Sequence, residues 1–156
     1  LNGRLVSSNQ RAFGSCDSIS RGKNHGGNRV MIMITGGAYQ GKKDFVKAHY
    51  NCEILNGDNC DFESVFTAKC VSNYHQLVKR LIENGDDVAS YTERLCRENS
   101  NLIVIINEIG CGIVPLEKRD RIWREQVGRA GSLIAKNSDT VVRLICGIPA
   151  VIKGEL

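Results

Sequence analysis

The chain of 156 residues lacks any apolar run near the roughly 20 residues that a membrane-spanning helix needs. Its first residues also lack the apolar core of a secretory signal, so a cytoplasmic protein is expected. Seven cysteines stand at positions 16, 52, 60, 70, 96, 111 and 146, an odd number with no Cys-x-x-Cys pair. That pattern argues against a zinc site or a disulfide framework and for reduced thiols. Cys52, Cys60, Cys70 and His75 lie near one another in sequence, but their spacing matches no metal motif. A basic excess outside the N-terminal segment is also missing. The formal charge of +4 comes from Arg4, Arg11, Arg21, Lys23 and Arg29 against Asp17. From residue 31 onward acidic and basic side chains are equal in number. No evenly basic face remains to neutralise a phosphate backbone, so no nucleic-acid partner is expected. There is no internal repeat.

What is present is enough for one domain with a core, since 42% of the residues are hydrophobic. Residues 1–29 are rich in Gly, Ser, Asn and Arg, have no helix or strand period, and read as a disordered leader. Residues 30–156 read as the folded domain. An apolar run at 30–35 predicts a strand covered on both faces, and 42–50 a helix. Strands are expected at 52–56, 102–106 and 140–146, with a short terminal strand at 150–153. Helices are expected over 73–83, 86–99 and 117–136, the first from Tyr74, Leu77, Val78, Leu81 and Ile82 at helical spacing. Residues 65–68 are ambiguous between a strand and a loop entering a helix. Strands alternating with helices predict an α/β fold with a mostly parallel sheet.

The stretch Thr35-Gly36-Gly37-Ala38-Tyr39-Gln40-Gly41-Lys42-Lys43 joins the first strand to the first helix. Strand, glycine loop and helix together make the setting of a phosphate-binding P-loop, and the fold expected is a P-loop NTPase-like three-layer sandwich. Gly36 and Gly41 permit tight turning, the amides of residues 36–43 can point at a phosphate, and the helix N-terminus adds its free N–H groups. Lys42 falls where the P-loop lysine reaches the β- and γ-phosphates. The next position calls for a Ser or Thr hydroxyl on Mg²⁺ and holds Lys43 instead, so the metal site is weakened. The plainer reading is a glycine-rich turn with two surface lysines.

The second candidate is Glu108, in the loop Asn107-Glu108-Ile109-Gly110-Cys111-Gly112-Ile113-Val114-Pro115. Loops at the carboxyl ends of parallel strands line the ligand crevice. Glu108 is therefore expected near a bound phosphate, as a catalytic group and Mg²⁺ ligand, or otherwise as a loop carboxylate. The histidines carry less. His25 is in the leader, His49 ends the first helix, and His75 reads as a solvated residue on the polar side of its helix.

These blocks, with Trp123-Arg124-Glu125, Gly128-Arg129, Gly147-Ile148-Pro149 and Ile152-Lys153, resemble the adenosylcobinamide kinase / adenosylcobinamide-phosphate guanylyltransferase family. Thr67-Ala68-Lys69-Cys70 is similar to the segment before that family's third helix. The resemblance covers both ends of residues 31–153 better than the middle. It implies a nucleotide-dependent transferase of cobalamin biosynthesis with ATP or GTP and a corrinoid as its ligands, Mg²⁺ as cofactor, and a homo-oligomer left open. It implies phosphorylation of a cobinamide hydroxyl, followed by GMP transfer through a histidine. The family's Arg-Ile-x-x-His helix is absent, since residues 56–63 form only a short loop, so no histidine is carried over. No acidic strand is seen between Ile82 and Leu102. The alternatives are a catalytically impaired nucleotide- or corrinoid-binding relative, and an unrelated small P-loop kinase.

Overall fold

The first apolar run does two jobs at once. Met31 and Met33 join one core, while Ile32 and Ile34 join another on the opposite face, as alternation along a strand requires. The computed structural model describes residues 30–156, so the expectation of a disordered leader at 1–29 lies outside the described residues. In chain order come β1 (Ile32–Thr35), α1 (Lys42–His49), β2 (Ile54–Asn56), β3 (Cys70–Ser72), α2 (Tyr74–Asn84) and α3 (Val88–Glu98). Then follow β4 (Ile103–Ile105), α4 (Lys118–Asn137), β5 (Thr140–Ile145) and β6 (Ile148–Lys153). Short 3-10 turns lie at Glu63–Phe66 and Ile109–Cys111.

The strands form one sheet in the order β2-β3-β4-β1-β5-β6. All neighbours are parallel except β6, which returns antiparallel to β5. The larger core lies between one face of the sheet and α2, α3 and α4, built on Leu77, Leu81, Leu95, Val104, Val127 and Ile134. The smaller core gathers Ile34, Ile105 and Leu144 under Phe45 and Val46 of α1. Each such aliphatic or aromatic side chain contributes roughly 1.5–3 kcal/mol when buried. This is the expected α/β architecture, a six-stranded mostly parallel sheet flanked by helices.

Local signals set the helix ends. Asp87 caps α3 by accepting from the Ser90 amide at 3.0 Å. Gly85 stops α2 in the left-handed region at φ 83°. Three details depart from expectation. The ambiguous residues 65–68 contain neither a strand nor a helix entry, since Val65 and Phe66 belong to a 3-10 turn. Strand β3 follows them and was not foreseen. The last strand begins at Ile148, with Pro149 inside it, which its place at the sheet edge allows.

Candidate nucleotide-binding site

Parallel pairing brings the carboxyl ends of β1, β3 and β4 to one edge of the sheet. Three chain segments leave there: the loop 36–41 after β1, Asn73 after β3, and Asn107 after β4. The first is the P-loop candidate. Gly36 has φ 139°, and a Cβ at this position would stand 2.5 Å from the Leu144 carbonyl oxygen. Glycine is therefore required both by the backbone and by the close approach to β5. The Gly36 carbonyl accepts from the Glu108 amide at 3.1 Å, so the loop is tied to the strand on its other side as well. Gln40 is fixed from beyond β5, its carbonyl accepting from the Gly147 amide at 3.2 Å and its side-chain oxygen from the Cys146 amide. Gly41, at φ 79°, opens α1 with no side-chain cap, which leaves the helix N-terminus free for an anion.

Lys42 is buried, with 6% of its surface exposed. Its ammonium folds back over the loop and donates to the carbonyls of Gly36, at 3.1 Å, and Gly37. Burial lowers its pKa, and the negative charge of Glu108 works against that shift. Ala38, Tyr39, Gln40, Gly41, Lys42 and Lys43 line a cavity of about 560 Å³. Tyr39 stands fully exposed at the loop tip with φ 59°, and Lys43 is exposed at the start of α1.

Glu108 lies on the other side of Asn107 and lines a separate, largely apolar groove of about 440 Å³ with Thr35, Arg124, Gly128 and Ile152. Both of its oxygens are taken by Arg143 of β5, at 2.9 and 2.8 Å. The loop after it is pinned to α4 by Arg124, which donates to the carbonyls of Gly110 and Ile113. Ile113, Val114 and Leu116 of this loop point outward.

The sequence reading of His75 is corrected. It is not a solvated residue, for only 5% of it is exposed. Two elements cover it: the end of β4, where the Asn107 amide meets its Nε2 at 3.1 Å, and α4, where Trp123 stacks at 6.4 Å between centroids. The Trp123 indole also donates to the His75 carbonyl at 2.7 Å. His75 lines the same cavity as Lys42. Burial lowers its pKa to about 4; Asp58 opposes that shift, while Lys42 and Lys43 reinforce it.

Asn73 and Asp58 were also not foreseen, and Asn107 was named only as the first residue of its loop. Asn73 lines the cavity, adopts φ 55°, and donates to Asp58 at 2.8 Å and to Asn56 at 3.2 Å. The interval 82–102, where no acidic strand was seen in the sequence, holds α3; the strand two places from β1 is β3, which ends at Ser72. Among the described residues no cluster of three or more His, Cys, Asp or Glu could hold a metal. No described helix is long and apolar enough to cross a membrane.

No curated protein matches the chain. The family model described as cobinamide kinase / cobinamide phosphate guanyltransferase matches residues 61–152, from the loop after β2 into β6 and including the Asn107 to Pro115 loop. That match spans more than half of the sequence, and the chain belongs to the cobinamide kinase / cobinamide phosphate guanyltransferase family.

Proposed function

We propose that the chain binds ATP or GTP at the loop 36–43 and transfers its terminal phosphoryl group to a hydroxyl of a cobinamide. The observation that carries this reading is the buried Lys42, folded onto the carbonyls of its own glycine loop beside an open cavity. An ammonium held there can leave two weak carbonyl partners for phosphate oxygens, where charge-assisted bonds are stronger. The loop amides and the start of α1 would hold the triphosphate, and Lys42 would neutralise charge on the group in transit. The matched family supplies the acceptor class.

The protein donors do not fit a resident Mg²⁺. Lys43 puts an ammonium where a hydroxyl ligand would stand, and Arg143 occupies the Glu108 carboxylate. Any Mg²⁺ would enter on the triphosphate, held by phosphate oxygens and water. This same observation favours a second reading, a relative that binds nucleotide or corrinoid with little turnover.

The test is calorimetry with ATP and GTP, followed by transfer of labelled γ-phosphate to cobinamide. Binding with transfer supports the first reading and binding without transfer the second. No binding of either nucleotide rejects the first reading and leaves the second only as a corrinoid binder, which calorimetry with cobinamide decides.

A further inference from the structure

His75 Nδ1 is buried without a hydrogen-bond partner. Buried polar groups in native proteins are almost always paired, and an orphaned N–H is rarer than an orphaned acceptor. The bare Nδ1 is therefore the unprotonated nitrogen, and the single proton of the neutral ring sits on Nε2. The structure places the Asn107 side-chain Nδ2 at 3.1 Å from Nε2, an orientation that the tautomer argued above reverses. The oxygen and nitrogen ends of an amide are alike in shape, so the partner decides which end faces it. A ring N–H calls for the oxygen end. The NH₂ end of Asn107 is then turned away from the ring, to the side on which the amide accepts no hydrogen bond from any described residue. Asn107 stands on the floor of the Lys42 cavity, at the carboxyl end of the strand beside β1.

We propose that Asn107 donates through its amide NH₂ to the terminal phosphate of a bound nucleoside triphosphate, with His75 as the positioning residue that fixes this orientation. The proposal rests on the nucleotide site argued above. It adds a neutral donor that a diphosphate leaves unused, and so a preference for the triphosphate. Trp123 serves the same end by closing the ring's other face, and its indole bond to the His75 carbonyl locks the first turn of α2. The charged groups facing the ring are Lys42 and Lys43 from α1 and Asp58 from the loop after β2. Lys42 and Lys43 line the cavity, so a bound phosphate would sit beside them.

The experiment measures affinities for a β,γ-imido triphosphate and for the matching diphosphate in the full chain and in Asn107→Ala, Asn107→Asp and His75→Leu. Asn107→Ala should lower the triphosphate-to-diphosphate preference by about tenfold or more while leaving diphosphate affinity alone. Asn107→Asp should lower it further, since a carboxylate faces the phosphate. His75→Leu keeps the apolar packing, frees the amide to rotate, and should give a smaller loss in the same ratio. Nitrogen-15 shifts of the His75 ring in the unliganded protein should report the Nε2–H tautomer, a readout that needs no nucleotide. A wild-type ratio in Asn107→Ala, full triphosphate affinity in Asn107→Asp, or the Nδ1–H tautomer overturns the proposal and leaves the nucleotide site standing. A native chain that binds neither nucleotide overturns both.

Discussion

Arg143 grips Glu108 as a fork, Nε to one carboxylate oxygen at 2.9 Å and Nη2 to the other at 2.8 Å. The pair bridges β5 and the end of β4 across the root of the glycine loop. Arg143→Ala releases a carboxylate beside the proposed phosphate site. Nucleotide affinity without Mg²⁺ should then fall about fivefold, roughly 1 kcal/mol. Added Mg²⁺ should recover more of the loss than it adds to the native chain, because Glu108 becomes available to the metal. Arg143→Ala with Glu108→Gln should erase both effects in a Mg²⁺ titration.

Lys42→Ala should weaken ATP or GTP binding at least tenfold, about 1.4 kcal/mol. Lys43→Ala, at an exposed position one residue on, should do much less. Equal calorimetric losses for the two would show that any positive charge near the loop suffices.

His75 gives a pH dependence of known sign. The ring takes up its proton near pH 6.5 in the unfolded chain and near 4 in the folded one. Between those values the unfolded state holds more protons, so stability is full above 6.5 and declines as pH falls toward 4. The loss should reach about 3 kcal/mol by pH 4. Carboxylates titrate in part of the same range, so the quantity to follow is the difference between native and His75→Leu chains in denaturant midpoints across pH 4–7. A difference that does not change with pH would reject the buried neutral ring.

Incubation with labelled GTP and Mg²⁺ should yield no acid-labile GMP adduct. An adduct requires an imidazole nitrogen with open, in-line access to the α-phosphorus. His75 is close to the cavity, but its Nδ1 is shielded and its Nε2 is engaged by Asn107. His49 sits at the far end of α1, bonded to the Phe45 carbonyl at 2.8 Å and stacked on the Phe45 ring. An adduct lost on replacing either residue would contradict this.

A chain beginning at Val30 should keep the melting temperature and nucleotide affinity of the full sequence. Its first contacts are already internal: Val30 donates to Asn101 at 3.0 Å and Met31 to Asp139 at 3.0 Å. A fall of several degrees on shortening would show that residues 1–29 contribute to the domain.

The glycine loop, the strand before it and the α2 and α4 helices were legible because each signal is local. Periodicity marks a helix, and glycine spacing marks a turn. Strand β3 was not legible, for Cys70-Val71-Ser72 is three residues long with no alternation to read. Nor was His75, because the buried side of α2 is wider than its apolar stripe, being covered by β4's end on one flank and Trp123 on the other. Its partner Asn107 stands 32 positions away, a pairing that only the sheet order creates. Glu108 was placed at the correct edge of the sheet, but nothing local announced that Arg143 would occupy it.

The strand order also bears on when the glycine loop can take its shape during synthesis and folding. Strand β1 lies between β4 and β5, and the contacts at its start reach across 71 positions to Asn101 and 108 to Asp139. Such distant closures are slow and entropically demanding. Gly36 leans on Leu144 and Gln40 on Cys146 and Gly147, so the earliest-made strand and loop of the domain wait for nearly its last residues. A nascent chain halted before β5 would carry the whole glycine motif without the contacts to Leu144, Cys146 and Gly147 that hold its loop.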